Sequence, residues 1–190
     1  ASGALERSIA YANNDLPGTM LAAAAGTYVR RYGVKPGDRA VVFTNHDGAY
    51  GDALALHDAG VAIAAIVDAR PQAMLASALP QRARAAGLAI LADSVVAGAS
   101  GKRHVRAVDV RPMAGGPATR IDCDLVCVSG GWNPAVHLFS QARGKLRYDD
   151  ALATFVPDAS PLPIIPAGAV NGRFDLAAAL ADGHAAGRAA

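Results

Sequence analysis

Cysteine, aromatic residues, net charge and long apolar runs are all scarce in this chain, and each scarcity removes a class of protein. Only Cys123 and Cys127 are present among 190 residues. Inside one strand, a C-x3-C pair shares a face but sits roughly 13 Å apart, too far for a disulfide. The two read as small buried apolar residues. Nothing argues for an oxidising compartment, so a cytoplasmic location is expected. Aromatic residues make up 5% of the chain and the formal net charge is +2. With no basic run interleaved by aromatics, a nucleic-acid partner is not expected. The stretch QRARAAG reads as a solvated helix face. No apolar run reaches the ~18–20 residues of a membrane span, so no membrane partner is expected. ASGALERSIAY lacks the basic region and apolar run of a signal peptide. His46, His57, His104 and His184 show no metal or triad spacing, so neither a metal site nor a catalytic side chain is expected.

What remains is rich in small and aliphatic residues. Hydrophobic residues make up 52% and charged residues 18%, a balance that suits a packed core. The length allows one large domain or two small ones. The spacing predicts a helix from Thr19 to Arg31, ended by Gly33, with a turn at Pro36-Gly37. RAVVFT is a short strand, GAYGDALALHDAG a helix, and VAIAAIVDAR an apolar run ending at Asp68. Apolar runs separated by helices indicate parallel strands buried on both faces. PQAMLASALPQRARAAG reads as a helix kinked at Pro80, and LAILADSVV as a strand. From His104 to Val110 and from Thr119 to Asp122, alternation predicts an antiparallel hairpin or a three-stranded meander. DLVCVSGG is another buried strand, followed by a short helix near 134–142. PLPIIPAGAV reads as a final buried strand and GRFDLAAALADGHAAGRAA as a helix. The fold class expected is α/β.

The strand–helix junction AVVFTNHDGAY is where a dinucleotide fold carries G-x-G-x-x-G/A. Those glycines give the tight turn, the close backbone approach to pyrophosphate, and the helix–strand packing. Here Thr44 and His46 stand at the first two glycine positions and Ala49 at the third. Two features keep a nucleotide reading open. Asp68 ends the next strand near the roughly 20-residue offset at which an acid takes ribose hydroxyls. The amides opening the helix carry partial positive charge. Asp47 points the other way, since an Asp at that place caps helix amides. The cofactor candidates here are Thr44, Asn45, His46, Asp47 and Asp68, with a turn merely capped by Asp47 as the rival reading.

Several longer stretches carry a resemblance. ASGALERSI is similar to the A-T-G-A-x-E-R turn of flavoprotein FAD domains. NNDLPGTM, VVFTNHDGAYGDALAL, CDLVCVSGGWNPAVHLFSQARGKLRYDDALATFVP and PAGAVNGRFDL resemble the alpha subunit of heterotetrameric sarcosine oxidase, with SGGWNPAVHL the most specific. The element order also resembles the glutathione-reductase class of FAD/NAD-binding proteins. The resemblance implies that residues 1–38 and 122–190 form a split, incomplete FAD-type domain, with an NAD-type Rossmann domain, 39–121, inserted. It adds candidates by position: Ser2, Gly3 and Ala4 at the first turn, Gly130 and Gly131 at the mouth of a strand, and Gly168, Ala169 and Asn171 where relatives contact flavin. Trp132 is a candidate for stacking on a ring or a partner, and His137 reads as an ordinary helix residue.

The resemblance further implies NAD in the complete subunit, with FAD and FMN mainly on a flavin-carrying beta subunit that oxidises sarcosine. Smaller subunits complete the heterotetramer. That enzyme demethylates sarcosine to glycine with oxygen, forming hydrogen peroxide and, with tetrahydrofolate, methylenetetrahydrofolate. The family's best dinucleotide fingerprint would precede residue 1, and its tetrahydrofolate site would follow residue 190. The chain is therefore expected to be an internal piece, inactive as an oxidase by itself. Two other readings stay open: a subunit of a related opine-, amine- or proline-oxidising flavoprotein, and a non-catalytic Rossmann-shaped assembly module.

Overall fold

The computed structural model describes residues 1–190. In chain order, β1 (Ala4–Glu6) and β2 (Thr19–Leu21) lead to α1 (Ala22–Tyr32), then β3 (Arg39–Thr44), α2 (Gly48–Asp58) and β4 (Ala62–Asp68). A 3-10 turn at Gln72–Met74 and α3 (Ala78–Ala85) precede β5 (Ile90–Leu91), β6 (Ser94–Gly101), β7 (Val105–Pro112), β8 (Thr119–Asp122) and β9 (Leu125–Ser129). The remainder holds β10 (Trp132–Pro134), α4 (His137–Gln141), β11 (Leu146–Asp149), β12 (Thr154–Pro157), a 3-10 turn at Gly168–Asn171 and α5 (Leu176–Ala189). Contacts divide the chain into two units, Arg7–Gly131 and Ala1–Glu6 with Trp132–Ala190.

The larger unit is built on a parallel sheet in the order β2-β9-β3-β4-β5. Its strands carry apolar side chains on both faces because both faces are covered. Ala40, Val42, Ile66, Leu125 and Cys127 join one core with Ala22 and Ala25 of α1 and Ala49, Tyr50 and Ala53 of α2. Val41, Phe43, Ala65, Val67, Val126 and Val128 join another with Val96, Val105, Val108 and Val110 of the antiparallel β6-β7-β8 meander. Each such Val or Phe stabilises the fold by about 1.5–3 kcal/mol relative to exposure. Asp124 ties the start of the sheet together, its carboxylate accepting the amides of Asp38 and Arg39 at 2.8–3.1 Å.

The α/β reading and the meander are as expected, but several local expectations change. The expected helix at Thr19 begins as strand β2, which pairs with β9 before α1 starts. That pairing joins Thr19–Leu21 and Val126–Val128 in the larger unit, whose contacts bound it at 6/7 and 131/132, while the expected domains were bounded at 38/39 and 121/122. Pro80 lies in the first turn of α3, where its missing N–H removes no intrahelical bond. Cys123 and Cys127 are both buried but belong to different cores, because Cys123 and Asp124 lie outside the strand and break its alternation.

In the smaller unit, β1 pairs with β10 and β11 with β12, both antiparallel. The β11–β12 hairpin was not expected from the sequence. PLPIIPAGAV forms no strand: Pro161, Pro163 and Pro166 lack amide donors, and Leu162, Ile164 and Ile165 are exposed. The C-terminal helix α5 is present but buries no residue fully.

Candidate functional site

The order β2-β9-β3-β4-β5 reverses direction at β3: the chain passes to β4 on one side and, after the meander, to β9 on the other. In parallel α/β sheets, ligands sit beyond the strand ends at such a switch point. The side chains found there are Thr44 and His46 after β3, Asp68 and Arg70 at the end of β4, and Ser129, Gly130 and Gly131 at the end of β9.

Thr44 is fully buried. Its hydroxyl donates to the His46 carbonyl at 3.1 Å and accepts the His46 amide at 3.2 Å, folding the turn back on itself. The imidazole spans the switch point. Nδ1 accepts the Gly48 amide at 3.1 Å and Nε2 lies 2.7 Å from Ser129 Oγ. An accepting Nδ1 carries no proton, so the ring is the neutral Nε2–H tautomer and donates to Ser129. Burial lowers the His46 pKa, and the Arg70 charge adds to that effect. Asn45 is exposed.

Asp68 is completely buried and committed. Oδ2 accepts the Tyr50 hydroxyl at 2.8 Å and Arg70 Nη2 at 2.8 Å; Oδ1 accepts the Arg70 amide at 2.9 Å and Nε at 3.1 Å. Burial first, then this hydrogen bond, pushes the Tyr50 phenol well above its ordinary value. Arg70 also lies 2.8 Å from Asp47 Oδ1, an oxygen with no well-directed hydrogen bond, so this contact is ionic. Although burial opposes its charge, the two carboxylates hold the Arg70 pKa above normal.

Two expectations are corrected by these contacts. The Asp68 carboxylate is not open to ribose hydroxyls, because every approach is taken by Tyr50 and Arg70. Asp47 makes no cap bond to α2; it pairs with Arg70 and accepts the Ser77 hydroxyl, while His46 takes the first helical amide.

Gly130 and Gly131 serve a close chain crossing. The Gly130 amide donates to the Arg7 carbonyl at 2.7 Å and the Arg7 amide to the Gly131 carbonyl at 2.8 Å. A Cβ on Gly131 would lie 2.7 Å from Arg7 Nη2, on a residue whose φ is +94°, which only glycine adopts without strain.

The smaller unit holds the remaining candidates. The Ser2 hydroxyl donates to the Ala135 carbonyl at 2.6 Å. Gly3 has φ +81°, and a Cβ placed on it would meet nothing within 4 Å; Ala4 opens β1. A cavity of about 260 Å³ beside Ser2 is lined by Phe139, Ile164, Ile165 and Val170. The Gly168 amide and the Asn171 side-chain amide both donate to Asp182 Oδ2, at 2.8 and 3.3 Å. Ala169 is half-buried in the same turn. The start of α5 is capped by Asp175, which accepts the Ala178 amide at 2.8 Å. Trp132 is half-buried in β10 and His137 is exposed. No group of three or more His, Cys, Asp or Glu side chains could hold a metal ion, and no helix is long and apolar enough to cross a membrane.

The sequence compares closely with curated proteins. Sarcosine oxidase subunit alpha of Corynebacterium sp. (strain P-1) is 41% identical over 196 residues, covering 100% of this chain and 20% of that protein. The same subunit of Rhizobium meliloti (strain 1021) is 35% identical over 185 residues, covering 97% of this chain and 18% of that protein. The chain is a homologue of one stretch of sarcosine oxidase alpha subunits. It spans about a fifth of the length of the curated relatives it matches. No family model matches it.

Solved structures agree on the fold of this alpha-subunit homologue. Thioredoxin reductase of T. acidophilum superposes with a TM-score of 0.75 at 20% identity, covering 97% of this chain and 61% of that one. L-proline dehydrogenase of P. horikoshii gives 0.57 at 19% identity, covering 90% and 29%. These likenesses show that the chain shares the fold of those two proteins. Within the alpha-subunit homologue, sequence reasoning missed Tyr50, Arg70 and Ser129 as members of the crevice. Arg70 follows the flagged Asp68 by two residues, and Ser129 precedes the flagged Gly130, so both lay beside visible signals; Tyr50 looked like an ordinary helix residue.

Proposed function

We propose that the chain is the dinucleotide-fold portion of a sarcosine-oxidase-like alpha subunit. In this reading it supports oxidative demethylation of sarcosine to glycine by a flavin-carrying partner subunit, and no side chain here does the chemistry. The observation that carries it is end-to-end identity of 35–41% to sarcosine oxidase alpha subunits, borne on a sheet with an intact switch point.

NAD is the cofactor this reading implies for the complete subunit. The crevice between β3 and β9 does not fit it, because His46 fills the turn and engages the Gly48 amide. The smaller unit fits better at its first turn. Gly3 has open space beside its backbone, and Ser2 and Ala4 flank it with little bulk, so a dinucleotide could approach closely. Gly168, Ala169 and Asn171 would lie along the second loop, where the Gly168 amide and the Asn171 side chain already donate to Asp182. The split FAD-type domain is thus assigned to the smaller unit and the NAD-type domain to Arg7–Gly131. In this reading FAD and FMN lie mainly on the partner subunit, and tetrahydrofolate binds a part of the protein outside these residues.

The test is to express the full-length protein with its neighbouring subunits and measure hydrogen peroxide formation with sarcosine. Sarcosine turnover supports the reading. Turnover of opines or proline but not sarcosine replaces the substrate, and a correctly assembled complex with no amine oxidation removes the enzyme assignment.

A further inference from the structure

At a Rossmann switch point a pyrophosphate does two things: it accepts amides from the helix that follows the first strand, and it lies across the ends of the two diverging strands. In this chain a side chain already does both. We infer that His46 is an internal stand-in for the pyrophosphate, closing the crevice of the Arg7–Gly131 unit to dinucleotides. This goes beyond the proposed function and does not depend on which amine is oxidised.

The argument rests on geometry. Imidazole Nδ1 accepts the Gly48 amide at 3.1 Å, the first amide of α2. Imidazole Nε2 meets Ser129 Oγ at 2.7 Å, across from β3 to β9. Thr44, at the position of the first fingerprint glycine, is fully buried and bonded to both the amide and the carbonyl of His46. The ring is therefore held at its backbone and at both nitrogens. A bound pyrophosphate would need the volume, the amide and the strand-end contact that the ring now has.

The ribose end of the crevice is closed in the same way. A dinucleotide site offers a free carboxylate to the ribose hydroxyls, or an arginine to a 2′-phosphate. Both groups are present here and neutralise each other: Asp68 is buried under Tyr50 and Arg70, and Arg70 bridges Asp68 and Asp47 at 2.8 Å each. The unit keeps the architecture of a nucleotide site with each recognition group satisfied from within.

The test is a titration of NADH into the protein followed by amide and imidazole NMR resonances. The unaltered protein should show the neutral Nε2–H tautomer at His46, with NADH leaving the His46 and Gly48 signals unmoved. NADH binding that shifts residues of the smaller unit alone also supports the inference, because the nucleotide is then held elsewhere. His46→Gly should empty the turn and strengthen NADH binding at Gly48 by about tenfold or more, which is 1.4 kcal/mol. Should that variant fail to fold, Ser129→Ala releases one end of the ring, and NADH should then perturb Gly48. The inference is overturned if NADH moves His46 and Gly48 in the unaltered protein. It is equally overturned if folded His46→Gly, or Ser129→Ala in its place, shows no NADH response at Gly48.

Discussion

Replacing Asp68 by Asn removes one charge from a fully buried carboxylate that accepts from Tyr50, from the Arg70 amide and from two guanidinium nitrogens. The side chain keeps its shape, so the loss is electrostatic and hydrogen-bonded rather than steric. Removing one partner of a buried ion pair costs about 3–5 kcal/mol, because the other charge is left uncompensated. Arg70 still has Asp47 at 2.8 Å and its side chain is 17% exposed, so the lower end, about 3 kcal/mol, is expected. Tyr50→Phe deletes only the phenol donor. Hydrogen bonds to charged groups contribute about 1.5–3 kcal/mol, and Oδ2 retains Arg70 Nη2, so a loss of about 1.5 kcal/mol is expected. In the Asp68→Asn background the phenol faces a neutral acceptor, and its removal should cost about 1 kcal/mol less than in the parent. Urea unfolding followed by circular dichroism, with equal m-values, measures all four proteins. If Asp68→Asn lies within about 0.5 kcal/mol of the parent, the Asp68–Arg70–Tyr50 clamp is not formed and the closed crevice fails with it.

Further outcomes follow from other contacts. Burial and Arg70 hold the His46 pKa below 6.5, so the unfolded chain binds more protons. The stability from the neutral ring is complete above pH 6.5 and is lost as pH falls through the window between 6.5 and the lower folded value. His46→Gln should flatten that dependence in urea unfolding between about pH 7.5 and about pH 5. Gly26→Ala gains about 1 kcal/mol of helix propensity, but the new Cβ would land on Asp52 Oδ1 and Arg30 Nη2 of the pair joining α1 and α2. Overpacking costs about 1–3 kcal/mol, so the variant should unfold at lower urea, and an unchanged midpoint would mean the pair shifts freely. Cys123 and Cys127 are buried, and burial with neighbouring carboxylates pushes the Cys123 thiol up to about 11. An aromatic disulfide reagent should therefore find no reactive thiol in the native protein and two after denaturation.

Much of the fold was legible because local physics repeats along the chain. The β-branched runs RAVVFT and VAIAAIVDAR became β3 and β4 within a residue or two, since strands buried on both faces need apolar side chains at every position. Other segments misled for equally physical reasons. PLPIIPAGAV has the apolar content of a strand, yet no neighbouring strand supplies its hydrogen bonds. Thr19–Leu21 sits in a helix-like pattern, but pairing with Val126–Val128 outweighs propensity over three residues. The turn at Thr44–Asp47 was visible as a candidate site, whereas the role of each side chain was not. Asp47 looked like a cap and is an ion-pair partner; His46 looked like an obstruction and is the cap.

The amino-acid sequence by itself determined the alternating α/β architecture and marked the Thr44–Asp47 turn as a candidate site, because periodic burial and turn residues act within a few positions of one another. That β9 lies beside β3, which makes this turn a switch point, came only with the tertiary structure. Only the tertiary structure decided what the switch point holds. Ser129 meets His46, and Asp68 meets Tyr50 and Arg70, through contacts set by the stacking of distant strands. Whether a buried carboxylate or imidazole is free for a ligand depends on which partners reach it, and that is fixed only when the strand ends come together.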